Sequence, residues 1–342
     1  MTRKIVVRAS ATPAIGAGHL IRCGALGRAL SAAGVDVFFA VGPESLGTLP
    51  DAYRGDGFEV VDIEEDHARE ALAVGEAFGG ADAVIVDDYR LGEAFESQCR
   101  DWANKVIVLS DLRDKPHDAD VLLDASGGCE PMAYKGLVPL GCQFLMGPRY
   151  ALLRELFQNP PERPTFSDGI SRVFISMGAT DMDNHSNLAV TSVRKALPDA
   201  RVDVLLAGTA PHLPSLRGRA TEDAALTIHT DLSAEEVVKL LGASDLAIGT
   251  GGIGLWERCA LGIPSITLVV AANQRANAVV ADKAGASIMI TDAEMFETTE
   301  MEGQLRTLNS DARRRSIMGQ KARELCDGKG AARAAADILS FL

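Results

Sequence analysis

The chain has 342 residues, more than a single hydrophobic core usually supports, so two domains are expected. It is 47% hydrophobic and 24% charged, the balance of an ordinary globular protein. A net charge of −13 disfavours nucleic acid and anionic membrane surfaces as partners, although local dipoles still allow an anionic ligand.

The first strand is KIVVRA at 4–9, followed by a helix over GHLIRCGALGRALSAAG at 18–34. Further strands are read at DVFFAV (36–41), FEVVDI (58–63), ADAVIVDDY (81–89), KVIVLSD (105–111) and DVLLDAS (120–126). These are short continuous apolar runs, the pattern of parallel strands covered on both faces. The Pro-rich stretch QNPPERPTFSDG at 158–169 reads as a linker. Alternation then resumes with RVFISMG, the helix SNLAVTSVRKAL, RVDVLLAG, ALTIHT, the helix SAEEVVKLLGAS, DLAIGT, the helix GIGLWERCALG and SITLVV, and the chain from about 292 onward reads as mostly helical. The expected domains are 1–157 and 170–324, joined by the linker 158–169, with a C-terminal helix at about 325–342 packing back on the first. Two doubly wound α/β domains imply a ligand cleft beyond the carboxyl ends of their strands.

The six cysteines lie far apart with no C-x-x-C pair, which points to free thiols. The histidines show no H-x-x-x-H spacing, and no zinc site is expected. The longest apolar runs are strand-sized and the N-terminus shows no signal-peptide pattern, so a cytoplasmic protein without membrane contact is expected.

Three glycine loops follow strands. The first, Gly16-Ala17-Gly18-His19, is by itself a tight turn with a histidine at a helix start. The second, ISMGATDMDN at 175–184, places Gly178, Thr180, Asp181 and Asn184 at a helix N-terminus, where capping explains Asp181 better than a metal does. The third has G-x-G-x-x-G at Gly249, Gly251 and Gly254, formally a dinucleotide fingerprint. That reading fails, because no acid lies between Cys259 and Ala281 to hold a ribose. The nearby acid is Glu257, which either pairs with a neighbour such as Arg258 or accepts hydrogen bonds from a ribose diol. Asn273 and Gln274, after the next strand, carry amides suited to sugar hydroxyls.

The ordered set G-x-G-H-x-x-R (16–22), VDDYRL (86–91), SDLRDKPHDADVLLD (110–124), GPRYALLRELF (147–157), ISMGATD (175–181) and GTGGIGLWERCALGIPS…ANQ (249–274) resembles the UDP-sugar hydrolases of pseudaminic acid biosynthesis. The chain departs from their pattern at Asp88, where a His is frequent, and at Ser110-Asp111, where a pair of Asp is frequent. The resemblance implies a GT-B fold, two doubly wound Rossmann-like domains facing each other across a cleft. It implies hydrolysis of UDP-2,4-diacetamido-2,4,6-trideoxy-β-L-altropyranose or a close isomer with His19 as general base, Glu257 and the Gly251-Gly252 loop on UDP, and Tyr89 and Asn273 near the sugar. The full expected site adds Asp87 and Gln274 at the sugar, and Gly16, Gly18, Gly178, Thr180, Thr250 and Ile253 at UDP. Arg22 is expected to support the loop or the diphosphate.

The chemistry agrees with such a substrate. UDP is a good leaving group, so the remaining task is to activate water, which a neutral histidine can do near pH 7. No cofactor or metal is expected, the partner is a small UDP-sugar, and a monomer is expected. Two alternatives stand beside hydrolysis: a glycosyltransferase of the same fold, and a UDP-sugar-binding protein without turnover.

Overall fold

A computed structural model describes residues 2–10, 18–42, 58–60, 67–158, 168–291 and 298–342. The chain divides into two compact units, Met1–Arg154 with Lys329–Leu342, and Glu155–Gly328. Most of the Pro-rich stretch at 158–169 lies outside the described residues.

Unit 1 is built on seven strands: β1 (Lys4–Ala9), β2 (Asp36–Val41), β3 (Phe58–Val60), β4 (Ala83–Asp87), β5 (Val106–Leu109), β6 (Val121–Asp124) and β7 (Gln143–Met146). All pair in parallel, in the order β3-β2-β1-β4-β5-β6-β7. The helices are α1 (Gly18–Ala32), α2 (His67–Phe78), α3 (Glu93–Cys99) and, much later in the chain, the C-terminal Gly330–Phe341. One sheet face buries Ile5, Val7, Ile85 and Ile107 against Leu20, Leu26 and Leu30 of α1 and Ala331, Ala334 and Ile338 of the C-terminal helix. The other buries Val84, Val86, Val108 and Leu122 with Phe95. Both faces are covered, which is why these strands are continuously apolar.

Unit 2 repeats the plan with six parallel strands: β8 (Arg172–Ser176), β9 (Arg201–Leu206), β10 (Leu226–Thr230), β11 (Leu246–Thr250), β12 (Ser265–Leu268) and β13 (Ser287–Ile290), in the order β10-β9-β8-β11-β12-β13. Its helices are α4 (His185–Ala196), α5 (Leu213–Glu222), α6 (Ala234–Gly242), α7 (Ile253–Ala260), α8 (Arg275–Lys283), α9 (Thr298–Ser310) and α10 (Ala312–Leu325), after which the C-terminal helix is α11. β7 and β13 were not anticipated. Each has only four residues, and β7 lies on the sheet edge with an exposed and half-buried pattern that gives no continuous apolar run. None of the six cysteines is in a disulfide, and five are buried.

Each sheet reverses its winding direction once, between β1 and β4 in unit 1 and between β8 and β11 in unit 2. In doubly wound sheets the carboxyl ends of such neighbouring strands are where ligands bind. His19 and Asp87 follow or end the first pair, and Gly178 and Thr250–Gly252 follow or end the second.

Candidate active site

In unit 1 the site is built from the start of α1 and the end of β4. His19, Arg22 and Cys23 stand at i, i+3 and i+4, so one face of the first turn carries all three. The parallel register sets Asp87 beside Ala9, the last residue of β1. Asp87 lies on the same sheet face as Ala83 and Ile85, the face covered by α1. It therefore meets the three α1 side chains.

His19 Nδ1 lies 2.6 Å from Asp87 Oδ1. Arg22 forks onto the same carboxylate, Nε to Oδ2 at 2.6 Å and Nη2 to Oδ1 at 2.5 Å. Cys23 Sγ donates to Oδ2 at 3.2 Å. Arg22 Nη1 reaches on to Asp111 Oδ2 at 3.2 Å, and Tyr89 donates its hydroxyl to Asp111 Oδ1 at 2.9 Å. The His19 and Tyr89 rings meet edge to face with centroids 4.5 Å apart.

Burial would raise the pKa of Asp87, which has no exposed surface, but Arg22 and then His19 reverse this and hold the carboxyl well below the usual carboxylate range. Burial, and next the Asp87 charge, push the Cys23 thiol up, so it stays protonated and donates. Burial and the Asp111 charge likewise keep the Tyr89 phenol protonated. An ionised carboxylate only accepts, so the proton between His19 and Asp87 belongs to Nδ1. Arg22 Nη2 also lies 3.2 Å from His19 Nδ1, but two donors cannot bond each other and the shorter carboxylate contact decides. Neutral His19 then carries its lone pair on Nε2.

Asp87 was expected at the sugar. Its full burial and two occupied oxygens leave it no surface for a hydroxyl, and it orients His19 instead. Arg22 was expected to support the loop or the diphosphate, and it spends its fork on Asp87. Asp88, where a His is frequent in the hydrolases the sequence resembles, points to the opposite face. There it accepts from Ser10 Oγ at 2.7 Å, from the Arg90 amide at 2.8 Å and from Arg8, which also pairs with Glu70 at 2.7 Å. Gly18 opens α1 and is exposed. Gly16 lies outside the described residues.

In unit 2 the N-termini of α4 and α7 follow the two strands at the switch point, and they differ. At α4, Asp181 accepts from the amides of His185 and Ser186, both at 2.9 Å. The chain's own carboxylate thus takes up the free amides of this terminus, and Gly178 and Thr180, expected at UDP, lie exposed in the loop before it. Asp181→Ala removes this cap and leaves alanine at φ 43°. It is expected to cost about 1 kcal/mol, read as a lower urea midpoint at unchanged slope.

At α7 the N-cap is Gly252, with no side-chain cap and no acid in the first turn. Here Gly251 is required: a Cβ would lie 2.7 Å from the Gln274 carbonyl oxygen. Gln274 Oε1 accepts from the Gly251 amide at 3.2 Å, and Asn277 donates to the Gly251 carbonyl at 2.9 Å. Gln274 was expected at the sugar, yet its side-chain oxygen braces the loop. Asn273 is exposed beside it, Thr250 and Glu257 are half-buried, and Ile253 is exposed.

The sheet orders and switch points define a GT-B fold, and comparison with solved structures agrees. MurG of Acinetobacter baumannii superposes with a TM-score of 0.67 at 16% identity, covering 99% of this chain and all of that one. A UDP-N-acetylglucosamine 2-epimerase gives 0.63 at 14% identity, covering 100% of this chain and 97% of that one. Residues 221–338 match the glycosyltransferase family 28 C-terminal domain. The chain is similar to the UDP-2,4-diacetamido-2,4,6-trideoxy-beta-L-altropyranose hydrolase of Campylobacter jejuni, 27% identical over 253 residues, covering 72% of this chain and 84% of the relative. It is also similar to the spore coat polysaccharide biosynthesis protein SpsG of Bacillus subtilis, 24% identical over 192 residues and 56% of each chain.

Proposed function

We propose that the protein hydrolyses a UDP-2,4-diacetamido-2,4,6-trideoxyhexose to UDP and the free sugar, in nonulosonic acid biosynthesis. The observation that carries this reading is the His19–Asp87 pair, a buried carboxylate fixing the one histidine tautomer that can take a proton through Nε2. The activity for which the Campylobacter relative is named supports the substrate class.

In this mechanism the open α7 terminus and the Thr250–Ile253 loop hold the diphosphate, and Glu257 accepts from the ribose hydroxyls. Tyr89 and Asn273 contact the sugar. His19 Nε2 removes a proton from water. The water oxygen bonds to C1 opposite UDP, and the C1–O electron pair leaves on the β-phosphate, inverting the anomeric centre. Backbone amides at the loop stabilise the departing charge. The His19 proton then returns to solvent. Because UDP already leaves well, the reaction as written asks nothing of a metal.

The test is incubation with a panel of UDP-2,4-diacetamido-trideoxyhexoses, following UDP and the sugar product by NMR. Hydrolysis predicts stoichiometric UDP and free sugar from one isomer without any acceptor. Release only after an acceptor is added would make the protein a transferase, the reading favoured by the family 28 match. Gly251→Ala is expected to weaken UDP binding by about tenfold or more, roughly 1.4 kcal/mol, because the new methyl group pushes against backbone that cannot give way. Calorimetric titration with UDP checks this.

A further inference from the structure

One side chain behind the α7 loop has no part in the mechanism above. Arg258 is 4% exposed and sits one helical turn after Gly254. Helical side chains lean toward the N-terminus, and a glycine at i−4 leaves that path open. A Cβ on Gly254 would lie 3.6 Å from Arg258 Nη1. The guanidinium ends under the loop, where Nη2 donates to the Thr250 carbonyl at 2.9 Å and to Thr267 Oγ1 at 3.2 Å. A Cβ on Gly249 would meet Nη1 at 2.5 Å and the Ser176 carbonyl oxygen at 2.7 Å. The first glycine of the G-x-G-x-x-G pattern therefore makes room for Arg258 and the second for the Gln274 backbone, while a side chain at Gly254 would only touch the guanidinium. That accounts for the first two glycines without a dinucleotide.

The electrostatics are unusual. Among the described residues no carboxylate hydrogen-bonds this guanidinium, and its Nε has no partner. Burial pushes its pKa down to about 10, against the smaller pull of Cys259 and Glu257, so it is still a cation at neutral pH. A buried cation on neutral acceptors is costly unless an anion completes it. The peptide between Thr250 and Gly251 is pinned from both sides, its carbonyl by Arg258 and its amide by Gln274 Oε1.

The geometry points to Arg258 as a positioning residue for the diphosphate: it fixes the Thr250–Gly251 peptide and sets a buried positive charge behind the α7 N-terminus that the bound phosphates complete. This rests on the reading that the α7 loop holds UDP. It adds that recognition of the diphosphate, as distinct from the nucleoside, depends on a side chain that is shielded from solvent.

The full-length protein and the variants Arg258→Met and Arg258→Lys are titrated calorimetrically with UDP and with uridine, and melted without ligand. R258M is expected to bind uridine like the wild type and UDP at least about tenfold more weakly. Its ligand-free melting midpoint is expected to be no lower than that of the wild type, since an uncompensated buried charge is gone. R258K keeps the charge but loses the two-armed grip, and is expected to show a smaller selective loss for UDP. If R258M does not fold, R258K decides by the same selectivity. Wild-type UDP affinity in the variants overturns the role of Arg258, as does an equal loss for UDP and uridine. A wild type that binds no UDP overturns the reading of the loop itself, and this inference with it.

Discussion

Asp87→Asn is expected to lower kcat by about 10⁴-fold, the scale seen when a histidine is locked in the wrong tautomer, while the KM for UDP-sugar changes little. The Arg22 fork needs acceptors, so the single amide oxygen of the introduced side chain turns toward it. The amide NH₂ then faces His19 Nδ1. Two donors cannot meet, so Nδ1 gives up its proton and Nε2 carries it, leaving nothing to take a proton from water. The substitution also acts on stability, because it breaks the buried ion pair and leaves Arg22 only its longer contact with the partly exposed Asp111. A cost of about 3–5 kcal/mol is expected.

The pH dependence has a definite sign. Folded Asp87 is held well below the ordinary carboxylate range, whereas in the unfolded chain it titrates near about 4. Its stabilising contribution is thus fully present above that value, and it is lost as pH falls toward the folded pKa. The wild type should lose stability into acid more steeply than Asp87→Asn. Equilibrium urea unfolding of both proteins between pH 3 and 7 (about the range spanned by the unfolded group) reads this difference.

His19→Ala is expected to lower kcat by about 10²–10⁴-fold, the range for removing a general base, with UDP affinity retained. The retention matters because His19 lies in unit 1 and the loop proposed to hold UDP lies in unit 2. Loss of UDP binding together with turnover would make His19 a binding residue. His19→Gln, which keeps a polar side chain toward Asp87, is expected to be as inactive as the alanine variant. Recovery of activity in His19→Gln would mean that orientation of substrate, and not proton removal, is the function of this position.

Much of this was legible in the sequence, for identifiable reasons. Continuous apolar runs such as VIVL and LAIG marked strands buried on both faces, and the loops after them are where a doubly wound sheet is expected to take its ligands. The stripe His19, Arg22, Cys23 was also present as helical spacing, but its partner was not. Asp87 lies 68 residues from His19 and comes alongside only through the parallel register of β1 with β4. No local pattern reports such a register. Asp87 and Gln274 were polar residues at strand or turn ends, so they looked like ligand contacts. Each is consumed by a neighbour, Asp87 by the α1 face and Gln274 by the Gly251 amide. The G-x-G-x-x-G spacing already failed as a dinucleotide fingerprint for want of an acid, and in the fold Gly249 makes room for Arg258 and Gly251 for the Gln274 backbone. Asp181 was readable as a cap because capping is a local interaction.

The most direct test of the central claim is to run the reaction in ¹⁸O-labelled water with no acceptor present, and to follow both products by NMR. Attack on C1 predicts ¹⁸O on the anomeric carbon, unlabelled UDP, and a first-formed sugar anomer opposite in configuration to the substrate. Label in the β-phosphate of UDP, retained configuration, or no UDP at all without an acceptor would contradict it.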